Sequence, residues 1–131
     1  METHTLELRL KTRSESQKET TILDTIATLP CKFLRSIPTE IRSSDNVVNI
    51  GLEPSLPVKY LIITGKHIEA NASSVPPVQK GDPAPFKIRL NGSTDEIPAG
   101  HGRFECSGPL TDLKVLTDNE LPIRLDILIG Y

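Results

Sequence analysis

The chain has no tryptophan, and two tyrosines and three phenylalanines are all its aromatic side chains. Single-strand nucleic-acid surfaces are built from stacked rings, so that mode of binding is not expected. A sugar platform would draw on the same missing side chains. Charge of one sign is lacking too: 15 basic residues stand against 17 acidic ones, for a net charge of −2. Nothing in that balance attracts nucleic acid or an anionic membrane. No apolar run approaches the roughly 20 residues that a helix needs to cross a bilayer, so no membrane partner is expected. The two cysteines, Cys31 and Cys106, form neither a CxxC pair nor a dense framework. Buried free thiols are the expected reading. The opening Met1-Glu2-Thr3-His4-Thr5 is polar and acidic and runs straight into a strand pattern. No secretory signal is expected there, which points to synthesis in a cytoplasm.

A helical period is also missing, and short alternating runs take its place. His4, Leu6, Leu8 and Leu10 fall on one side of a strand, with Thr5, Glu7, Arg9 and Lys11 on the other. Residues 13–19 are polar throughout and read as an exposed connection. Residues 20–27 read as a second strand, because threonine and isoleucine favour extended backbone. Cys31, Phe33, Arg35 and Ile37 share one face of a further strand that Pro38 should end. After a loop signal at Ser43-Ser44-Asp45-Asn46 comes a strand from Val47 to Leu52.

Val58-Lys59-Tyr60-Leu61-Ile62-Ile63-Thr64 is apolar on both faces and belongs at the centre of a sheet. Gly65-Lys66 should then turn the chain back into a short strand over residues 67–70. Phe86-Lys87-Ile88-Arg89-Leu90 alternates cleanly into Asn91-Gly92, a strong hairpin signal, and Glu96-Ile97-Pro98 returns. Strands follow over residues 103–106, 110–116 and 121–129.

Strands so short and so regularly punctuated predict an all-β chain, an antiparallel β-sandwich of jelly-roll type. One domain is expected over residues 1–131, with residues 1–20 flexible or in contact with a partner. Residues 71–85, which carry Pro76, Pro77, Gly81, Pro83 and Pro85, should form a long loop. Loops of that length in compact domains are usually functional or mobile.

Catalytic constellations are harder to find. His4, His67 and His101 are scattered and have no ligand spacing, so no metal is expected. There is no G-x-S-x-G elbow. Cys106-Ser107-Gly108 lies near His101, but Cys106 shares the register of Phe104 and reads as a core thiol. Glu105 and Asp112 could be posed as a carboxylate pair, although no aromatic platform accompanies them. Gly100-His101-Gly102 lacks the strand-to-helix context of a phosphate loop and reads as a turn. Arg9, Lys11, Arg13, Lys87, Arg89 and Arg103 sit beside acidic neighbours on solvated faces. Asn71-Ala72-Ser73 and Asn91-Gly92-Ser93 match glycosylation triplets, as many unmodified chains do. No catalytic residue and no cofactor is expected.

Surface contact remains. The expected contact residues are Leu6, Leu8 and Leu10 on a strand edge, with Val75, Pro76, Pro77 and Val78 in the loop. From residue 58 onward the chain resembles small virion proteins of tailed bacteriophages. The resemblance is carried by the apolar strand Val58-Lys59-Tyr60-Leu61-Ile62-Ile63 and the hairpin signal Arg89-Leu90-Asn91-Gly92. It extends through Phe104, Leu110-Thr111-Asp112-Leu113-Lys114-Val115, Thr117-Asp118-Asn119 and the closing Ile127-Leu128-Ile129-Gly130-Tyr131. This chain departs from the pattern in a longer, more proline-rich loop over residues 73–85 and in a slightly late Asp118-Asn119 turn.

The resemblance implies a non-enzymatic β-sandwich of the virion, made in the host cytoplasm. A head cement or decoration protein is expected first, and a small tail or fibre-attachment protein second. It implies contacts with capsid or tail subunits and a homo-oligomer, with a trimer favoured. A carbohydrate- or receptor-binding module is the second expectation, and would need exposed aromatics on a concave face. A small cupin-type enzyme is the third, and would need its histidines to meet in space.

Overall fold

A computed structural model describes residues 2–13, 19–31 and 34–131, with side chains described from residue 34 onward. The described residues are all-β apart from a single 3₁₀ turn at Ser43–Asp45. Two compact units are found, Met1–Phe33 and Leu34–Tyr131.

The first unit is a two-stranded antiparallel ribbon, β1 (Glu2–Arg13) against β2 (Glu19–Cys31). Its register sets Leu6 opposite Ala27, Leu8 opposite Thr25 and Leu10 opposite Leu23, with an irregularity between Leu10 and Lys11. The polar connection of the sequence reading falls between these strands, and residues 14–18 of it lie outside the described residues. Of the strand expected from Cys31 through Ile37, Cys31 belongs to β2 and residues 34–37 to the next strand, which runs from Leu34. Phe33 lies outside the described residues.

The second unit contains β3 (Leu34–Ile41), β4 (Val48–Ile50), β5 (Tyr60–His67), β6 (Phe86–Leu90), β7 (Ile97–Ala99), β8 (Arg103–Ser107), β9 (Leu113–Leu116) and β10 (Ile123–Gly130). They form two four-stranded antiparallel sheets, ordered β3-β10-β5-β8 and β4-β9-β6-β7, a β-sandwich-like arrangement. One face of each sheet supplies the core. Ile123, Leu125, Ile127 and Ile129 of β10 are fully buried, as are Leu61 and Ile63 of β5, and Ile88, Leu113 and Val115 come from the other sheet. Period-two alternation explains this, since residues i and i+2 of a strand point the same way. Arg124 and Asp126 occupy the other face of β10 and pair with each other at 3.0 Å.

Two local signals read from the sequence are overruled. Pro38 does not end its strand: β3 runs through it to Ile41, pairing Pro38 with Asp126 of β10. β3 is an edge strand, and an edge tolerates a residue with no N–H to donate. Nor does Gly65-Lys66 turn. β5 continues straight through both residues to His67, and no return strand follows over 67–70. The glycine is there for space. A Cβ at Gly65 would lie 2.5 Å from the carbonyl oxygen of Ala84 and 2.9 Å from Cδ1 of Phe86. Backbone and a core ring from the opposite sheet both close on that point.

Gly65→Ala should therefore cost about 1–3 kcal/mol, the usual price of overpacking a core. Gly51→Ala, where nothing lies within 4 Å of the added Cβ, should stay within about 0.5 kcal/mol of the parent. Urea unfolding of the two variants beside the parent measures both. Equal stability of the two variants would contradict this account of Gly65.

Candidate functional site

The strands leave two sets of loops, one at each end of the second unit. At one end β5 releases the chain into residues 68–85. The sequence reading took this as the least structured stretch, but it is internally tied. Asn71 and Val78 exchange both backbone hydrogen bonds, at 2.8 and 3.0 Å. The Asn71 side-chain oxygen accepts from the Ser73 amide at 3.1 Å and from the Ser73 hydroxyl at 2.7 Å. The Ser74 hydroxyl lies 2.9 Å from the carbonyls of both Asn71 and Pro76, which share its one proton. Asp82 accepts from the Gln79 amide at 2.8 Å. His67, buried at the end of β5, anchors the base: its amide donates to the Asp82 carbonyl at 2.8 Å, and its carbonyl accepts from Gly81 at 2.7 Å.

On this frame Val75 is 99% exposed. Pro76 and Pro77 beside it are exposed as well, and Val78 is half-buried. The structure thus brings together four of the residues expected to make contact. Leu6, Leu8 and Leu10 lie in β1 of the ribbon, in a sheet of two strands, so each strand has one edge unpaired within that sheet.

The other end carries a groove that the sequence reading did not anticipate. Residues 49–58 form one wall and residues 109–112 the other, around roughly 640 Å³. Ile50, Leu52, Leu56, Val58 and Leu110 give it apolar surface, while Glu53 and Asp112 supply carboxylates. Both walls are pinned. The amide of Glu53 donates to the hydroxyl of Tyr131 at 3.0 Å, and Arg35 donates to the Gly51 carbonyl at 3.1 Å. Tyr131, the last residue, is itself 1% exposed.

The second wall hangs on Asn91. Its side-chain oxygen accepts from the Thr111 amide at 2.7 Å, its side-chain nitrogen donates to the Pro109 carbonyl at 3.3 Å, and its own amide donates to the Asp112 carbonyl at 2.9 Å. Asn91 and Gly92 both have positive φ, 54° and 75°, which these two residue types tolerate best. The Asn-Gly pair was legible as a turn. Its hold on a distant loop was not, because that depends on which loop the fold brings alongside.

Elsewhere the surface is balanced by ion pairs. Arg89 reaches Glu96 at 2.9 Å, Lys87 reaches Glu96 at 3.5 Å and Asp118 at 2.9 Å, and Lys114 reaches Asp112 at 3.6 Å. Arg103 pairs with Glu105. Hydrogen bonding from Arg89, with Lys87 nearby, holds the Glu96 carboxyl below its ordinary range. The hydrogen bond and charge of Asp118, supported by Glu96, raise the Lys87 ammonium. Glu105 and Asp112, posed as a carboxylate pair, take different basic partners, Arg103 and Lys114.

Gly100, His101 and Gly102 make the turn between β7 and β8, with the Gly102 amide donating to Ala99. Cys106, expected in the core, is a free, half-buried thiol on edge strand β8, and burial pushes its pKa up. Among the described residues no group of three or more metal-ligating side chains comes together, and His4 lies outside those whose side chains are described.

Comparison of the chain with family models, with curated proteins and with solved structures finds no match.

Two tests follow from these contacts. Asn71→Ala removes the acceptor for Ser73 but leaves the Asn71–Val78 backbone pair. Amide exchange at Ser73 should accelerate while that at Val78 stays slow, with a global stability change below about 0.5 kcal/mol. Uniform exchange across the loop in the parent protein would contradict a tied frame. Glu96 has a lowered pKa, so its stabilisation is present above the ordinary carboxylate range and is lost as pH falls through its own pKa. Lys87 has a raised pKa, so its share holds below the ordinary lysine range and fades as pH rises through its own pKa. Between about pH 5 and pH 2, the parent should lose more stability than Glu96→Gln. Parallel urea midpoints over that range measure it, and parallel curves would count against the Glu96 contacts.

Proposed function

We propose that this protein is a non-enzymatic structural component of a bacteriophage virion. A capsid cement or decoration protein is preferred over a small tail or fibre-attachment protein. The observation that carries the reading is the strand order of the second unit. Counted within that unit, one sheet takes its first, eighth, third and sixth strands, and the other its second, seventh, fourth and fifth. That order supports a jelly roll, an architecture of two Greek keys used repeatedly in viral capsid domains and lectins. Architecture alone never names a function, so the surface has to agree with it. The tied loop that presents Val75, Pro76 and Pro77 suits adhesion, because a contact pre-ordered before binding loses little freedom on binding.

The ribbon supports the same reading from another direction. Two strands alone are at best marginally stable in water, and its alternation gathers Leu6, Leu8 and Leu10 at positions of one face, opposite Ala27, Thr25 and Leu23. Docking that face on capsid or tail subunits, or on copies of itself in a trimer, would bury it. Symmetry then multiplies modest contacts into a durable assembly. Nucleic acid and membrane have no part in the proposal, and the site of action is the particle assembled in the host cytoplasm. The lectin-like alternative would need a ring platform. Among the described aromatics, Phe86, Tyr60 and Tyr131 are buried and Phe104 is half-buried.

Purified particles provide the test. The protein should appear in them at a fixed ratio to the major capsid protein and stay with heads when tails are sheared away. Co-migration with tails would select the second role. Protein abundant in the lysate but missing from washed particles would sink the virion reading.

A further inference from the structure

The apolar tip over residues 74–77 and the groove between residues 49–58 and 109–112 belong to opposite ends of one unit. The groove borders Val58, just before β5, and the loop leaves from the other end of β5 at His67. The eight residues of β5 put about 26 Å between the two ends. The base of the loop is fixed there by the His67 contacts with Gly81 and Asp82 and by the bridge of Lys66 to Pro83. A copy therefore cannot reach its own groove with its own tip.

The geometry points to head-to-tail association of this chain, with the 74–77 tip of one copy seated in the 49–58/109–112 groove of the next. Shape, polarity and charge agree. A projecting Val75 followed by two prolines meets an open concavity lined by Ile50, Leu52, Leu56 and Leu110. On the same loop, Lys80 is exposed and has no ion-pair partner among the described residues. In the groove, the Glu53 carboxylate has, among the described residues, only the hydroxyl of Ser55, at 2.9 Å. A seated tip would bring the lysine of one copy to the carboxylate of the other. Tip and groove are both held in place before they meet, by the Asn71 and Ser74 bonds on one side and by Tyr131 and Asn91 on the other.

Such a contact is heterologous, because two different patches meet and each copy keeps one of each. Heterologous contacts close into rings or continue as filaments. The patch is small, so a single contact is weak, and its strength comes from closure or from display on a repeating surface. The inference concerns the isolated protein and stands independently of the virion reading.

Two variants and their mixture test it by sedimentation velocity over a concentration series. The parent should show a weight-average mass that rises with concentration. Val75→Asp (tip) and Leu56→Asp (groove) should each remove the rise attributable to this contact. Mixed in equal amounts, the two should form a pair that stops at one contact, because one variant keeps a sound groove and the other a sound tip. Should Leu56→Asp fail to fold, Glu53→Lys and Lys80→Glu replace the pair. Each alone should weaken association, the double variant Glu53→Lys/Lys80→Glu should restore it, and added salt should reduce the difference. A parent whose mass is independent of concentration overturns the inference. So does a mixture that yields no heterodimer, or self-association that survives both single variants unchanged.

Discussion

Strand β10 is the constraint on which the second unit depends. It pairs along its whole length with β3 on one side and β5 on the other. Ile123, Leu125, Ile127 and Ile129, one face of it, are fully buried. At about 1.5–3 kcal/mol for each aliphatic side chain taken from water, that face contributes about 6–12 kcal/mol gross. This is comparable with the entire net stability of an ordinary domain. It also joins the extremes of the unit, because Ile123 lies opposite Ile41 in β3 and Gly130 opposite both Leu34 and Tyr60. Gly130 itself is required there: a Cβ would overlap the Tyr60 ring. The unit closes only when its last strand has found its place between two earlier ones, so its decisive contacts are long-range.

With the sheets fixed, the ends follow from satisfying backbone polar groups. Loops that leave a sheet must find partners for their N–H and C=O groups. Here side chains and the C-terminal tyrosine supply several of them. Asn91 serves the 109–112 loop, Tyr131 serves Glu53, and Asn71 and Ser74 serve the tip. The Thr117 hydroxyl lies 3.2 Å from the Pro85 carbonyl, which fastens the far end of the proline-rich stretch to the residue just past the end of β9. A loop rich in proline and held by its own hydrogen bonds gives up little entropy when something binds to it. The same composition that reads as disorder in a sequence gives a rigid projection here.

Strand positions were more legible in the sequence than strand ends or loops. Phe86-Lys87-Ile88-Arg89-Leu90 alternates between apolar and charged residues and forms β6 over those five positions. β5 is central, as its two apolar faces required. The ribbon pairs across the polar stretch that suggested a connection. Where the reading failed, a local preference met a requirement set elsewhere in the fold. Gly65-Lys66 has the composition of a turn, but Gly65 is small because Ala84 and Phe86 press on it. Pro38 has the composition of a strand end, but its strand lies at an edge, where nothing needs its missing N–H. Val75, Pro76 and Pro77 could be picked out as exposed apolar positions of the loop. The groove could not, since residues 49–58 and 109–112 become neighbours only after folding.

The outer face of the β4-β9-β6-β7 sheet and the edges of the second unit are poorly suited to an apolar partner, which throws weight onto the loop ends. Lys87 and Arg89 alternate with buried Phe86 and Ile88, and Lys114 lies directly opposite Arg89. Two like charges in register repel, and Glu96, Asp112 and Asp118 offset them. Pressing an apolar partner onto that face would strip water from several ions whose pairs are worth little while exposed. The edges are guarded in other ways: β4 and β7 are three residues each, β3 carries Pro38, and β8 alternates Arg103 and Glu105. Short, proline-bearing or charged edges resist the addition of a foreign strand. A molecule protected in this way against sideways pairing retains apolar surface where its loops have been fixed, at the tip around Val75 and in the groove over Leu56. Contacts made there run along the strand direction, so copies would stack end to end and leave their charged faces in water.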